Sequence, residues 1–163
     1  MASPTPIPPK VFLDSSVFFA AAYSATGSAH DLLLAAIRGQ VTLVLSAYVL
    51  EETERNLLAS APRAHPAFLR LRDALPYQLS HPPHALVVDT ARIVVTKDAP
   101  IIAAARSAQA PLVATYDRKD LLSRRQEILI AFGVTVATPD EILASLQDPP
   151  RELSSEVVRG EMD

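Results

Sequence analysis

Several acidic side chains stand where apolar runs of the sequence stop. Asp14 follows the run "VFL", Asp98 follows "IVVTK", and Asp117 follows "LVATY". The run "TLVLS" ends in a serine and leads into a helical stretch that carries Glu51 and Glu52. Ligand sites of open α/β sheets lie beyond the carboxyl ends of the strands. Four separate segments therefore offer a carboxylate to the same edge of a predicted sheet.

Carboxylates gathered in one pocket need protons or cations to neutralise them. Two carboxylates about 4 Å apart repel by roughly 4 kcal/mol at an effective dielectric of about 20. The chain has no Cys, and its four His residues show no metal-ligand spacing. Oxygen ligands alone favour Mg²⁺ or Mn²⁺ over Zn²⁺. Such an ion activates water and stabilises charge on a phosphoryl oxygen, so the pattern indicates phosphodiester hydrolysis.

Each acid also has a simpler interpretation. Asp is a favoured helix N-cap, worth about 1 kcal/mol, and Asp14, Asp98 and Asp117 all precede helical stretches. Glu51 and Glu52, taken alone, are typical of a solvent-exposed helix face. The alternative function is therefore a non-catalytic RNA- or protein-binding module whose acids act as helix caps.

The elements that must position these acids alternate along the chain. Strand-like runs cover residues 11–14, 41–46, 111–115 and 134–138, residues 91–98 are predicted to be extended, and residues 76–88 are predicted to be a loop with a short extended piece. Helical patterns cover residues 15–23, 28–40, 47–60, 65–75, 99–110, 118–133 and 139–147. Strands that alternate with helices predict an α/β fold, a three-layer αβα sandwich around a parallel sheet of four or five strands.

The chain divides into one domain and two terminal segments. Its 163 residues suit a single hydrophobic core. Residues 1–9 are Pro-rich, residues 10–147 carry the alternating elements, and residues 148–163 are polar. We expect this last segment to be a mobile tail that orders on a partner.

Composition limits the classes of function. The formal charge is −3, from 15 Lys and Arg against 18 Asp and Glu, so a strongly basic nucleic-acid binder is not indicated. No apolar run approaches the roughly 18 residues that span a bilayer. The first ten residues contain no apolar signal segment. We expect a cytoplasmic protein with no membrane association.

Four segments, taken in order, resemble the motifs of PIN domains. They are "VFLDSSVFFAA", "LVLSAYVLEETERNL", "TKDAPIIAAA" and "LVATYDRKDLL". The resemblance extends over about residues 10–143 and is specific as a set. It implies a PIN-like fold and an Mg²⁺- or Mn²⁺-dependent endoribonuclease that acts on RNA. The small single-domain bacterial members are usually VapC-like toxins, so the resemblance also implies an antitoxin partner.

The resemblance assigns roles to individual residues. The implied catalytic residues and metal ligands are Asp14, Glu52, Asp98 and Asp117, with Ser15 and Thr115 as supporting hydroxyls. The helical wheel does not distinguish Glu51 from Glu52, and the family register favours Glu52. Many relatives carry a second acid at the third motif, whereas Lys97 and Ala99 flank the acid here. A second metal position would therefore need Asp120.

Basic and aromatic residues suggest further contacts. Arg118 and Lys119 adjoin the expected site and are candidates for binding substrate phosphates, although a solvated helix face explains them as well. Phe18, Phe19 and Tyr23 are expected in the core or at an oligomer face. We expect a homodimer.

Overall fold

The structure is a computed structural model that describes residues 6–147. The polar segment 148–163, which the sequence predicts to be a mobile tail, lies outside the described residues. Residues 6–9 of the Pro-rich segment precede the first strand without regular secondary structure.

Five parallel strands form one sheet. They are β1 (Lys10–Leu13), β2 (Thr42–Leu45), β3 (Tyr77–Leu79), β4 (Leu112–Ala114) and β5 (Thr135–Ala137), in the order β3-β2-β1-β4-β5. In the centre, Phe12 of β1 pairs with Val44 of β2 on one side and with Val113 of β4 on the other. The predicted parallel sheet is therefore confirmed.

Eight helices flank this sheet. They are α1 (Ser15–Tyr23), α2 (Ser28–Ile37), α3 (Ala47–Ser60), α4 (His65–Ala74), α5 (His84–Thr90), α6 (Ala99–Ser107), α7 (Arg125–Phe132) and α8 (Pro139–Gln147). Helix α1 packs against α2, α3 and α4, while α5 packs against α6, which also contacts β1 and β4. The predicted three-layer α/β architecture is confirmed.

The central strands are buried on both faces. Val11, Phe12 and Leu13 of β1 are fully buried, as is Val113 of β4. A strand covered on both faces needs consecutive apolar side chains instead of alternating ones. This requirement explains the short apolar runs that precede Asp14 and Thr115 in the sequence.

Residues 76–98 differ from the sequence prediction. The short extended piece is strand β3, and helix α5 (residues 84–90) begins inside the segment 76–88 that was expected to be a loop. Residues 91–98 form turns where an extended segment was expected. Pro83 begins α5 with a carbonyl that accepts the Leu86 N–H at 3.0 Å. The β-branched run after α5 buries Val94 in the core, so tertiary packing overrides its strand propensity.

The stretch after β4 also differs from the prediction of one helix over residues 118–133. A turn and a 3-10 segment (Leu122–Arg124) come first, and α7 begins only at Arg125. The Asp117 carbonyl accepts the Leu122 N–H at 2.9 Å, and its side chain accepts the Asp120 N–H at 3.0 Å. These local bonds compete with helix formation and hold a turn beside the sheet edge. The predicted helix end at Gly133 is confirmed by its left-handed φ of 68°.

Candidate active site

The acids lie at the point where the strand order reverses. From β1 the chain proceeds outwards to β2 and β3 on one side and to β4 and β5 on the other, which leaves a crevice between the ends of β1 and β4. Asp14 directly follows β1, and its N–H donates to the Ala114 carbonyl at 3.0 Å. Thr115 directly follows β4 and is fully buried. The two strand ends are thus joined at the base of the crevice.

Three donors hold the Asp14 carboxylate. The Ser15 N–H donates to Oδ1 at 2.8 Å, while the Thr115 and Ser16 hydroxyls donate to Oδ2 at 2.7 Å and 2.9 Å. These three donors therefore hold the Asp14 side chain in one orientation at the end of β1.

Ser16 joins the two central strand ends more closely than Ser15 does. Its hydroxyl accepts the Tyr116 N–H at 3.0 Å while it donates to Asp14. The Ser15 hydroxyl lies 3.5 Å from the Asp14 carboxylate, so Ser15 acts mainly through its backbone N–H. Sequence reasoning selected Ser15 and missed Ser16, although the serine doublet was a visible signal.

Thr115 connects Asp14 to Asp117. Its Oγ1 donates to Asp14 and accepts the Asp117 N–H at 2.9 Å. Asp117 in turn accepts the Asp120 N–H, which fixes the turn that follows. The hydroxyl therefore positions one carboxylate through its side chain and another through its backbone.

Asp98, Asp117 and Asp120 form a compact acidic group. Each offers one carboxylate oxygen, and these oxygens all lie within 4.8 Å of one another. We refer to these three residues as the acid triad. Asp120, which the sequence suggested only as a supporting residue, is thus an equal member of this group.

Asp98 is the member of the triad whose negative charge is least stabilised by its surroundings. It is 8% exposed, and its buried Oδ2 has no hydrogen-bond partner within residues 6–147. The pKa of Asp98 is raised to about 6: burial is the largest cause, the Lys97 ammonium lowers the pKa, and the charges of Asp117, Asp14 and Asp120 raise it. An unsatisfied buried carboxylate oxygen beside other carboxylates favours a bound cation.

Glu52 faces the cleft and Glu51 does not. Helix α3 begins at the cap residue Ser46, whose hydroxyl accepts the Val49 N–H at 3.2 Å. From this start, half-buried Glu52 lines the cleft with Asp14, Ser15, Ser16, Phe19, Asn56, Ser60, Lys97, Asp98 and Asp117. Exposed Glu51 lines a separate depression next to Phe68. The structure therefore brings Glu52, and not its neighbour, to the other acids.

The pKa of Tyr48 is affected by the acids of the cleft. Partial burial raises the pKa of its phenol, and the charges of Glu52, Asp98 and Asp14 raise it further, while Arg55 lowers it. The phenol of Tyr48 therefore remains neutral and able to donate a hydrogen bond. Sequence reasoning missed Tyr48 because its neighbours along the chain give no sign of the acids around it.

The basic candidates lie on the turn after Asp117. Arg118 and Lys119 are exposed and are not among the residues that line the cleft. Lys97 is the lysine that does line it, and its Nζ lies 2.9 Å from Asp120 Oδ2. A cation of the chain therefore already touches the acid triad.

Helix capping accounts for only part of this arrangement. Asp14 accepts the Ser15 N–H at the start of α1, and Asp117 accepts a backbone N–H of the following turn. Asp98 occupies the cap position of α6 but makes no side-chain cap hydrogen bond. Capping therefore does not explain why Asp98 is buried among other acids.

The donor set fits a hard divalent cation. The acids and hydroxyl side chains that converge here offer oxygen, and the triad oxygens are close enough to share one ion. Oxygen ligands of this kind suit Mg²⁺ and Mn²⁺. Asp98, Asp117 and Asp120 are the residues that could hold it directly.

No helix within residues 6–147 is long and apolar enough to cross a membrane.

Solved structures share this fold at low sequence identity. The PAE2754 structure from Pyrobaculum aerophilum matches with a TM-score of 0.60 and 17% identity, covering 86% of this chain and 91% of that chain. VapBC2 from Rickettsia felis, solved with a DNA fragment from its promoter, matches with a TM-score of 0.54 and 14% identity over 79% of this chain and 98% of that chain. FitAcB from Neisseria gonorrhoeae matches with a TM-score of 0.50 and 17% identity over 79% and 97%.

The sequence itself matches a family model. None of the curated proteins compared with the chain matches it. The model of the PIN domain matches residues 10–119, a span that includes β1 to β4 and every acid that lines the cleft. The chain therefore belongs to the PIN domain family.

Proposed function

We propose that the chain is a metal-dependent endoribonuclease that hydrolyses RNA phosphodiester bonds. The observation that carries this proposal is the acid triad, whose oxygens lie within 4.8 Å of one another. Two of its members, Asp98 and Asp117, line a cleft together with Asp14 and Glu52. Membership of the PIN family supports it, because the four motifs resemble those of metal-dependent ribonucleases. The cleft has a volume of about 410 Å³, which suits a nucleotide unit.

The acids have different tasks in this proposal. Asp98 and Asp117 would hold an Mg²⁺ or Mn²⁺ ion, with Asp120 as the neighbouring acid. Such an ion would supply an activated water and stabilise charge on a phosphoryl oxygen. Asp14, oriented by three donors, adds a fixed carboxylate beside the cation. Glu52 accepts no hydrogen bond from the described residues, so its carboxylate is free to take a proton from an attacking water.

Substrate phosphates would meet the basic residues around the cleft. Lys97 lines the cleft, and exposed Arg118 and Lys119 stand on the adjoining turn. Phosphate contacts of this kind position a nucleic acid without reading its sequence. Their small number agrees with the net charge of −3, which gives no broad basic surface.

We further propose that the chain is the toxin of a toxin–antitoxin module. The resemblance to VapC-like proteins supports an antitoxin protein as partner, a homodimer and a cytoplasmic location. The proposed domain is residues 10–147, with residues 1–9 and 148–163 as appended segments. Growth arrest on expression, relieved by co-expression of a small neighbouring gene product, would test the toxin role.

A non-catalytic binding module is the competing function. The observation that favours it is the capping contact of Asp14 with the Ser15 N–H. Under that function, the acids need only accept backbone hydrogen bonds, and no divalent ion is required for RNA or protein binding.

Two adjacent glutamates offer a matched test of the nuclease. We expect Glu52→Gln to reduce Mg²⁺-dependent RNA cleavage by about 100-fold or more, because the group facing the cleft loses its charge and basicity. Glu51→Gln changes the same charge on the same helix turn outside the cleft, and it should retain activity within about twofold. Cleavage is measured on end-labelled RNA with and without EDTA. Equal activity in both variants, or cleavage that persists in EDTA, would count against the proposal.

A further inference from the structure

Lys97 brings a permanent positive charge into the cleft. Its Nζ lies 2.9 Å from Asp120 Oδ2, and the lysine side chain is 65% exposed while the aspartate side chain is 16% exposed. The pair therefore joins a solvent-facing lysine to an acid that is mostly buried. Lys97 also lines the cleft together with Asp14, Glu52 and Asp98.

Asp98 and Asp120 differ in whether a carboxylate oxygen already has a partner. On one side, Asp98 Oδ2 is buried and has no hydrogen-bond partner within residues 6–147, so it remains available to a cation. On the other side, the ammonium of Lys97 already contacts Asp120 Oδ2. Nucleases with two metal ions place them about 3.5–4 Å apart between shared carboxylates. A second ion on the Asp120 side would therefore meet the lysine.

We propose that the Lys97 ammonium takes the place of a second divalent cation, held there by Asp120, so that the chain binds one divalent ion and not two. This inference rests on the proposed function, since it assumes that Asp98 and Asp117 hold a divalent ion. An ammonium carries a single charge and three N–H donors. In that position it would meet a substrate phosphate as a point charge, where a second metal ion would otherwise do so.

Counting bound Mn²⁺ ions on the full chain tests the proposal without an activity measurement. Electron paramagnetic resonance and calorimetric titrations should give one ion per parent chain and two per Lys97→Met chain. Lys119→Met is the matched control, because it removes the same charge from an exposed lysine on the adjoining turn that makes no ion pair with the described acids. We expect this control to bind one ion.

A second substitution locates the additional ion. In the Lys97→Met background, Asp120→Asn should return the count to one, because it removes the carboxylate that held the ammonium. Thermal melting verifies that each variant is folded, and Lys97→Gln repeats the count if Lys97→Met is not.

Each other outcome contradicts the proposal. Two ions on the parent chain, or one ion on folded Lys97→Met at any affinity, would overturn the role of Lys97 while leaving a metal-dependent nuclease in place. Absence of Mn²⁺ binding by the parent chain would overturn the proposed metal site itself, and with it this inference.

Discussion

Asp98 connects the stability of the protein to its expected chemistry. Its carboxyl is buried among other acids, and one of its oxygens has no partner within residues 6–147. Without a cation, the charge of such a group lowers the stability of the folded protein; with a cation, the same carboxylate can act as a ligand. The same feature that marks a metal ligand therefore predicts a measurable penalty in metal-free buffer.

The raised pKa of Asp98 gives this penalty a sign and a pH window. The pKa rises from 3.8 to about 6, chiefly because of burial, so the folded protein retains a proton that the unfolded chain releases between these values. Without metal, the free energy of unfolding should fall as the pH rises through this window and level off above it. Urea titrations across the window measure the slope.

Asp98→Asn should remove that part of the pH dependence. At neutral pH and without metal, we expect this variant to be more stable than the parent by about 1 kcal/mol, less than the whole shift implies because the cleft opens to solvent. An unchanged slope, or a variant less stable than the parent, would show that the Asp98 charge is satisfied in some other way.

Thr115 permits a separate test of how the acids are positioned. Thr115→Val removes the hydroxyl that donates to Asp14 and accepts from the Asp117 N–H, so we expect a loss of about 2 kcal/mol together with lower cleavage activity. Thr115→Ser preserves the hydroxyl and should retain most of the activity. Chemical denaturation and RNA cleavage report the two effects. Equal activity in the valine and serine variants would exclude a positioning role.

Residue types at the strand ends identified most of the cleft from the sequence. Asp14, Glu52, Asp98 and Asp117 all line it, because parallel strands bring their carboxyl ends to one edge. The ion pair between Lys97 and Asp120 was not foreseen, because it joins two segments whose distance depends on turns and not on regular elements.

Helix α3 determines which of two adjacent glutamates enters the cleft. Val49, Thr53 and Leu57 are fully buried and fix the rotation of this helix against the core. The Ser46 hydroxyl caps its first turn. The rotation and the start of α3 therefore fix the position of Glu52, and the buried face of this helix is apparent in the sequence.

The Ser46 cap can be tested on its own. Ser46→Ala should lower the free energy of unfolding by about 1 kcal/mol, because the Val49 N–H loses its side-chain partner in a buried position. Ser46→Asn supplies another capping oxygen and should recover most of that loss. Thermal or urea unfolding of the two variants is the measurement, and equal destabilisation by both would mean that packing, not capping, determines the effect.

The elements around α5 show where sequence patterns are insufficient. Pro82 and Pro83 precede residues 84–98, which contain a β-branched run. Both features favour loop and extended structure locally. In the folded chain, α5 instead packs on α6, and Val94 is buried from within a turn. Nothing in the local sequence specifies that long-range contact.

At the scale of the whole molecule, the alternation of strands and helices was enough to predict the parallel three-layer fold. The strand order β3-β2-β1-β4-β5 was not predicted from the alternation, since short connections permit more than one arrangement. That order matters for function because it places the ends of β1 and β4 side by side.

Divalent ions should stabilise the whole domain. A ligand that binds only the folded state adds about 2.7 kcal/mol at a concentration 100 times its Kd. We expect Mg²⁺ to raise the Tm of the parent and to raise that of Asp98→Asn much less, which scanning calorimetry can measure. Equal increases in both proteins would place the binding of Mg²⁺ outside the cleft.

The central claim is that the acids at the sheet edge hold a catalytic metal ion and do not merely cap local structure. Asp117→Asn separates these roles, because the amide oxygen can still accept the Asp120 N–H and Asn caps as well as Asp. The most direct measurement is the rate of Mg²⁺-dependent RNA cleavage by this variant and by the parent at equal concentrations. We predict a loss of about 100-fold or more with a Tm close to that of the parent. Full activity in Asp117→Asn would contradict the claim.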